Sequence, residues 1–93
     1  MAWVYILECA DGSYYVGSTT NLDMRLHQHQ QGMGAQYTRH RRPVRLVFAQ
    51  ECEHIAEAYT REKQYQGWSR KKREALIRGD YGALPGLATS RKE

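Results

Sequence analysis

The chain has 93 residues and a mass of 10.8 kDa, which leaves room for one hydrophobic core of ordinary size. With 41% hydrophobic and 26% charged residues it falls in the globular range, so collagen, coiled-coil and wholly disordered chains fit poorly. The formal net charge of +4 favours an anionic partner without naming one. No run approaches the roughly 18 apolar residues of a membrane helix, and the N-terminus lacks a signal-peptide pattern. We therefore expect a cytoplasmic protein with no membrane partner.

Charge is distributed unevenly along the chain. Residues 1–24 carry three acidic and no basic side chains, whereas residues 25–45 carry five arginines and no acid. Residues 46–60 again carry three acids, and residues 61–78 carry seven bases against two acids. Two separate basic segments in so short a chain favour a binding surface, and the alternative is ordinary solvated helix faces.

The N-terminal residues predict a β-hairpin. Residues 2–9 are rich in β-branched and aromatic types and too short for a good helix, so they indicate a largely buried strand. Asp11-Gly12 follows directly and is a strong signal for a two-residue hairpin turn. Residues 13–18 then predict the returning strand, in which Gly17 indicates a bulge or a close backbone approach.

The middle of the chain predicts a helix, a loop and a third strand. The helix runs from Leu22 to Gln31, with N-cap side chains before it and a glycine after it. Residues 33–43 contain a basic cluster and predict an irregular loop. The strand covers Val44 to Gln50, and its apolar residues stand on alternate positions, at Val44, Leu46 and Phe48.

The last third of the chain predicts two helices and a tail. Periodicity indicates a helix from Ile55 to Gln66, and Ser69 can cap a further helix through about Arg78. We expect one domain over residues 1–79 and a loosely held tail over residues 80–93. The order β-β-α-β-α-α predicts a small α+β domain, in which a three-stranded antiparallel sheet is packed with helices.

Two cysteines are present, at positions 9 and 52. They are too few for a disulfide scaffold and too far apart for a Cys-x-x-Cys pair. We interpret Cys9 and Cys52 as small buried thiols, and the spacing predicts neither a zinc site nor a redox pair.

Polar side chains stand on apolar helix faces. In the first predicted helix, Leu22, Arg25, Leu26 and His29 share one face, so leucines that point at the sheet take the arginine and the histidine with them. The shared face of the next long helix consists of Ile55, Ala58, Tyr59, Glu62 and Tyr65. Burying an unpaired charge is costly, so such residues need partners. A buried Glu62–Arg25 ion pair, or side chains that reach water from an edge position, are the structural alternatives to a functional role.

Tyr5 and Tyr15 lie on paired strands and can meet these helix residues over one sheet face. Packing aromatics with solvated hydroxyls are the alternative for both. Together with the basic segments, the set suits phosphodiester hydrolysis. That reaction needs a base for water, a cation for developing phosphate charge and a carboxylate to hold a metal ion.

Two short motifs on the predicted hairpin carry a family resemblance. Tyr15-Val16-Gly17 closely matches the second signature of the GIY-YIG nuclease superfamily, and Trp3-Val4-Tyr5 keeps the tyrosine of the first signature without its leading glycine. Arg25 and His29 fall where the superfamily has its first-helix arginine and a nearby polar residue. Glu62 falls in the later helix that carries its metal-binding glutamate. More closely, the chain to about residue 78 resembles small bacterial proteins of poorly characterised function that consist of this domain alone.

The resemblance implies a metal-dependent endonuclease of the single-metal type. Tyr15 would accept a proton from the attacking water, with Tyr5 as its hydrogen-bond partner. Because the pKa of an unperturbed tyrosine is about 10, nearby positive charge or the metal must assist. Arg25 would stabilise the phosphate, and His29 would polarise it or support Arg25. Glu62 would coordinate one divalent ion, with Mg²⁺ as the first expectation and Mn²⁺ as the second.

The chain also departs from the superfamily pattern. Well-studied catalytic members often have a lysine after the second signature, where this chain has Ser18. Some use an asparagine near the end of the domain, whereas Asn21, the single asparagine here, precedes the first helix. Two functions therefore stay open: an endonuclease acting on DNA, with repair or recombination as its setting, and a nucleic-acid-binding or accessory module with little or no catalysis.

Contacts with nucleic acid are expected from the basic segments, with DNA favoured over RNA and a protein partner or homodimer as a source of specificity. The spacing contains no groove-reading motif, so we expect contacts with the phosphate backbone. The alternative for the basic loop is a solvated segment. The residues assigned to these contacts are Arg39, Arg41, Arg42, Lys63, Arg70, Lys71 and Lys72.

Overall fold

A computed structural model describes residues 1–80 of the chain. Its elements, in chain order, are β1 (Ala2–Glu8), β2 (Tyr14–Thr19), α1 (Leu22–Gln30), α2 (Gln36–Arg39), β3 (Arg45–Cys52), α3 (Ile55–Gln66) and α4 (Arg70–Arg78). The strands form one antiparallel sheet in the order β2-β1-β3. The α+β class and the order of the long elements are confirmed. Within residues 1–80 no helix combines the length and apolar character needed to span a bilayer.

The segment predicted as an irregular loop differs in one respect, because it contains the short helix α2. This helix has four residues and no side-chain cap, so its local signal in the sequence is weak. Of the predicted tail, only Asp80 falls among the described residues, and residues 81–93 lie outside them.

The hairpin turn has three residues rather than the two that the sequence predicted. The Cys9 N–H donates to the Ser13 carbonyl at 2.8 Å, which leaves Ala10, Asp11 and Gly12 as the loop. Gly12 has a φ of 85°, the left-handed conformation that follows a type I turn in three-residue hairpins. The Asp11 carboxylate accepts hydrogen bonds from the backbone and side chain of Ser13, which fixes the turn.

A β-bulge in β3 changes which side chains share a face. Ile6 of β1 pairs with Phe48, whereas the next residue, Leu7, pairs with Leu46, so Val47 is the extra residue. Leu46 consequently packs with Val44 on one face of the sheet, and Phe48 packs on the other. The predicted one-face alternation through residue 48 was therefore wrong, because the period of two is interrupted at the bulge.

Helices cover both faces of the sheet. On one face α3 packs mainly on β1 and β2, and α4 packs on β3. The core cluster on this face consists of Ala2, Val4, Ile6, Val16, Cys52, Ala58, Tyr65, Ala75 and Leu76. On the other face α1 packs through Leu22 and Leu26 against Tyr5, Leu7 and Cys9. Cys9 and Cys52 are free, buried thiols, as predicted.

The long helix α3 buries less of its apolar stripe than the sequence predicted. Ala58 and Tyr65 are fully buried, but Ile55 is 46% exposed and Tyr59 is 54% exposed. The sheet below α3 has three strands, so the start of the helix extends beyond the core. The exposed Tyr59 ring lies beside the candidate site.

Candidate functional site

The candidate site is a cleft at the edge strand β2, where the two helical layers approach each other. Side chains alternate along β2, so Tyr15 packs on the α1 side of the sheet and Val16 on the α3 side. Gly17 and Ser18 continue this alternation at the end of the strand. The cleft has a volume of about 220 Å³, and its lining includes Tyr5, Tyr15, Ser18, Arg25, Tyr59 and Glu62. Four of the five residues predicted for catalysis therefore share one cavity.

His29, the fifth, lies behind the cleft wall in a chain of buried hydrogen bonds. It is 1% exposed, with Nε2 2.9 Å from the Tyr5 hydroxyl and Nδ1 2.8 Å from the Thr38 hydroxyl. The Thr38 hydroxyl donates to the Ala35 carbonyl at 3.0 Å, so it must accept from Nδ1–H. Nε2 of the neutral ring then accepts from Tyr5. Burial, followed by the charge of Arg25, lowers the pKa of His29 to about 4 and keeps the ring neutral.

The Tyr5 hydroxyl thus donates its hydrogen bond to His29. The structure joins the Tyr5 hydroxyl to His29 rather than to Tyr15, whose ring centroid is 6.4 Å from that of Tyr5. The expectation that Tyr5 is the hydrogen-bond partner of Tyr15 is therefore corrected. The physical reason is that the last turn of α1 brings the imidazole directly over the hydroxyl end of Tyr5.

Two glycines make room for this arrangement. A Cβ at Gly17 would lie 2.5 Å from the Tyr5 hydroxyl oxygen, and a Cβ at Gly34 would lie 2.4 Å from Nδ1 of His29. Both distances are shorter than any normal contact, so a side chain at either position would displace the pair. The predicted close approach at Gly17 is the approach of the Tyr5 side chain.

Tyr15 lies at the centre of an aromatic group that opens to solvent through Tyr37. The ring centroids of Tyr15 and Tyr37 are 6.1 Å apart in a stacked arrangement, and that of His29 is 5.2 Å from Tyr15. Burial and the carboxylate of Glu62 raise the pKa of Tyr15, while Arg25 and Lys63 oppose the rise. Burial is also the main cause of the raised pKa of Tyr5. Any positive charge added at the cleft would favour the ionised form of Tyr15.

Arg25 lines the cleft with a lightly engaged guanidinium group. Its Nη1 donates to the Gln28 side chain at 3.4 Å, a long hydrogen bond. Among the described residues, the ion pair of Glu62 is with Lys63 at 4.0 Å and not with Arg25. The alternative of a buried Glu62–Arg25 pair is therefore not realised, and the arginine has donors available for an anion.

The Glu62 carboxylate lies across the cleft, with its side chain 13% exposed. Ser18 Oγ donates to Oε1 at 2.5 Å, and Gln66 Nε2 donates to Oε2 at 2.9 Å. Each oxygen keeps lone-pair capacity for a further partner. A single carboxylate in a polar cleft fits Mg²⁺ that keeps most of its waters and shares a substrate phosphate. Within residues 1–80 no cluster of three or more His, Cys, Asp or Glu side chains can hold an ion by itself.

The basic loop contributes fewer free cations than its sequence predicted. Arg41 pairs with Asp11 at 3.0 Å and donates to the Tyr37 carbonyl, and its guanidinium lies 3.9 Å from the Tyr37 ring centroid. Arg42 donates to the carbonyls of Arg39 and Gln30. Both arginines therefore hold the loop onto α1 and the hairpin turn. Arg39 is exposed.

The second basic segment is more open. Lys71 and Lys72 are exposed on α4, and Lys63 is exposed on α3 with its ammonium 4.7 Å from the Tyr59 ring centroid. Arg70 pairs with Glu74 at 3.0 Å and lies over the Tyr14 ring. The predicted nucleic-acid contacts thus divide into two groups. Lys63, Lys71, Lys72 and Arg39 are exposed, whereas Arg41, Arg42 and Arg70 already have partners within the fold.

Sequence reasoning missed four residues that shape the site. Ser18 stood out only as a departure from an expected lysine, and Gln66 follows Glu62 by one helical turn, a spacing that permits side-chain contact. Thr38 belongs to a helix that the sequence did not predict. Tyr59 was assigned to an apolar stripe, although its neighbour one turn later is the polar Lys63.

Comparison with known proteins agrees with this architecture. The family model for the GIY-YIG catalytic domain matches residues 1–75. The UPF0213 protein BH0048 of Halalkalibacterium halodurans is 47% identical over 91 residues, which cover 95% of this chain and 97% of that protein. A UPF0213 protein of Streptococcus pneumoniae is 43% identical over 76 residues, which cover 82% of this chain and 77% of that protein.

A solved structure extends the agreement to three dimensions. The solution NMR structure of the UPF0213 protein BH0048 from Bacillus halodurans superposes with a TM-score of 0.56 and 41% sequence identity, over 99% of this chain and 98% of that one. The resemblance drawn from the hairpin motifs is thereby confirmed. Because the family model covers residues 1–75 and these relatives share more than 40% of the aligned residues, the chain belongs to the nuclease-type GIY-YIG family and, within it, to the UPF0213 proteins.

Proposed function

We propose that the protein is a metal-dependent endonuclease that hydrolyses phosphodiester bonds in DNA. The observation that carries this proposal is that Tyr5, Tyr15, Arg25 and Glu62 line one cleft although they come from four different elements. Side chains able to bind a proton, a phosphate and a cation are the three kinds that phosphodiester hydrolysis requires.

Tyr15 is the proposed acceptor of the proton from the attacking water. The charge of Glu62 is one cause of its raised pKa, so a cation held at that carboxylate would make Tyr15 easier to ionise. Tyr5 has a different role. Because its O–H donates to His29, its oxygen presents lone pairs elsewhere, and it would orient the water as an acceptor. His29 acts from behind Tyr5 by fixing this direction.

Arg25 and a cation held by Glu62 would stabilise the negative charge of the substrate phosphate. The guanidinium of Arg25 can donate to a phosphate oxygen as negative charge develops there. Glu62 would hold one divalent ion, Mg²⁺ or Mn²⁺, which supplies Lewis-acid stabilisation when bound. Since one carboxylate binds Mg²⁺ weakly, we expect tight metal binding only together with nucleic acid.

Exposed lysines outside the cleft would hold the polymer. Lys63, Lys71 and Lys72 are proposed to contact phosphates without reading sequence, as is exposed Arg39. The retained alternative is a DNA-binding module without turnover. Among the residues that line the cleft, Glu62 alone carries a carboxylate, and this observation keeps the alternative open.

The test is a cleavage panel on single-stranded, duplex, nicked and branched DNA, with matching RNA, in Mg²⁺ and in Mn²⁺. We expect Glu62→Gln and Arg25→Ala each to lose about 100-fold or more in cleavage rate, since each removes a charge from the site. Glu57→Gln, an exposed carboxylate on the same helix, is the matched control and should cleave normally.

The outcomes separate the two functions. Metal-dependent cleavage that both site variants abolish supports the endonuclease. Binding with a steep salt dependence and no turnover on any substrate supports the binding module. Cleavage that survives Glu62→Gln and Arg25→Ala in clean preparations overturns the assignment of the cleft.

A further inference from the structure

The Glu62 carboxylate accepts a hydrogen bond on each of its two oxygens. Ser18 Oγ donates to Oε1 at 2.5 Å from the end of β2. Gln66 Nε2 donates to Oε2 at 2.9 Å from the next turn of α3. A glutamate side chain that is free in solution samples many rotamers, whereas this one is restricted to a single orientation.

Gln66 is itself fixed to the sheet. The same Nε2 that bonds Glu62 also donates to the backbone carbonyl of Val16 at 3.2 Å. That carbonyl belongs to the edge strand β2. The three residues Ser18, Glu62 and Gln66 therefore form a closed arrangement that joins α3 to the strand carrying Tyr15.

Both donors leave the carboxylate able to bind a cation. Each carboxylate oxygen has two acceptor positions, and each receives one hydrogen bond from the pair, so capacity remains on both. Neither Ser18 nor Gln66 carries a positive charge that would compete with a metal ion. An arrangement of neutral donors around an anionic ligand is the kind that orients metal ligands in proteins.

We propose that Ser18, assisted by Gln66, is a positioning residue that fixes the Glu62 carboxylate for a divalent cation. This inference rests on the proposed function, because it takes Glu62 as the metal ligand. It assigns a role to the position at which the chain lacks the lysine of well-studied relatives. Ser18 would act on the reaction through Glu62.

A purely structural tie between β2 and α3 is the competing explanation, and metal affinity distinguishes the two. The test is a titration of the full chain with Mn²⁺ alone, followed by the paramagnetic broadening of backbone amide signals around Glu62. Ser18→Thr keeps the hydroxyl, and Ser18→Val has nearly the shape of threonine without the hydroxyl. We expect Ser18→Val to need about 10-fold more Mn²⁺ for half-maximal broadening, and Ser18→Thr to stay close to the natural chain.

A second pair of variants covers the case in which Ser18→Val does not fold. Gln66→Met removes the other donor, and Gln64→Met is its control at an exposed position on the same helix. We expect the first to weaken Mn²⁺ binding severalfold and the second to leave it unchanged.

The results distinguish failure of this inference from failure of the proposed function. If broadening around Glu62 is as strong in Glu62→Gln as in the natural chain, Glu62 is not the ligand, and both proposals fall. If broadening requires Glu62 but is equal in Ser18→Val and Ser18→Thr, or in Gln66→Met and Gln64→Met, the positioning role alone is overturned.

Discussion

His29 is the buried polar side chain on which the tyrosine wall of the cleft depends. Both ring nitrogens are used: in the neutral ring Nδ1–H donates to Thr38, and Nε2 accepts from Tyr5. Protonation would place a second donor against the Tyr5 hydroxyl, close to the positive charge of Arg25. Protonation of His29 would therefore change the hydrogen bond that orients Tyr5 in the cleft.

Acid should destabilise the fold through this residue. The pKa of His29 is about 4 in the folded protein and 6.5 without the fold, so the unfolded chain binds the proton more strongly. Its contribution is complete above pH 6.5 and is lost as the pH falls to about 4, a loss on the order of 3 kcal/mol. Urea unfolding between pH 7.5 and 4 measures this slope.

Two variants separate the effect of His29 on acid stability from the effect of the carboxylates, which also titrate in acid. His29→Gln offers one acceptor and one donor without a titrating group, so we expect a shallower decline of unfolding free energy across this pH range. His27→Gln, at an exposed position on the same helix, should decline like the natural chain. Equal slopes for His29→Gln and the natural chain would contradict the assignment.

Gly17 is required by its neighbour rather than by its backbone conformation. Because a Cβ here would meet the Tyr5 hydroxyl oxygen at 2.5 Å, we expect Gly17→Ala to destabilise the fold by about 1–3 kcal/mol. Tyr5→Phe removes the clashing oxygen but keeps Cζ, which is 2.7 Å from the same Cβ, so combining the two substitutions should recover only a small part of this loss. Thermal unfolding of the single and double variants measures the coupling.

A matched glycine provides the control for that cycle. Gly67 has a φ of −82°, and a Cβ there would make an ordinary contact at 3.6 Å. Gly67→Ala should therefore leave stability nearly unchanged. If Gly17→Ala is tolerated as well as Gly67→Ala, the close packing of Tyr5 against β2 is incorrect.

At the scale of elements, α4 combines two kinds of basic residue. Arg73 Nη1 donates to the carbonyls of Tyr65, Gln66 and Trp68 at the C-terminal end of α3. The exposed Lys72 makes no such tie through its side chain among the described residues. One residue thus joins two helices, while the other faces solvent.

The free energy of unfolding should distinguish the role of Arg73, which joins two helices, from that of Lys72, which faces solvent. We expect Arg73→Met to lower the free energy of unfolding by about 2 kcal/mol, because it leaves helix-end carbonyls without a charged donor. Lys72→Met should change it by less than about 0.5 kcal/mol. Chemical denaturation of both variants is the measurement, and similar losses in both would show that Arg73 does not tie the helices together.

At the scale of the whole molecule, the cleft exists because β2 is an edge strand. The strand β2 is an edge strand, so helices from both faces reach around it, and Glu62 from one layer approaches Arg25 and Tyr15 from the other. A further strand paired with β2 would stand between these layers. The site therefore depends on the packing of α1 and α3 on opposite faces of three strands.

The distribution of free cations over the surface predicts how the protein holds nucleic acid. The exposed Lys71 and Lys72 are available for phosphates, whereas Arg41 and Arg42 are engaged within the fold. We expect Lys71→Gln/Lys72→Gln to lower the slope of log affinity against log salt by about 1–2. Arg42→Gln should lower it less and reduce stability instead.

Binding isotherms at several salt concentrations, with the metal omitted, measure these slopes for a DNA oligonucleotide. An unchanged slope in the double lysine variant would move the binding surface away from α4. If Arg42→Gln strongly lowers the slope of log affinity against log salt without loss of stability, the binding surface lies on the basic loop instead.

Local patterns determined much of this protein. The hairpin, α1, α3 and α4 follow from apolar periodicity and from end signals such as the Ser69 cap, because these depend on residues that are close in the chain. The face shared by Arg25 and His29 also follows from helical spacing. The two tyrosine motifs, taken together with Arg25 and Glu62 on the helices, predicted the family and four of the residues that line the cleft.

Only the tertiary structure decided how those residues are used. The bulge at Val47, the short helix that supplies Thr38 and the bond from Ser18 to Glu62 depend on partners far apart in sequence. The same holds for charge. The sequence predicted two basic segments around a site, but folding engages two of the three loop arginines, Arg41 and Arg42, in contacts with backbone carbonyls and Asp11. No local pattern reports this, because a guanidinium that holds a loop and one that awaits a phosphate are identical until their neighbours are placed.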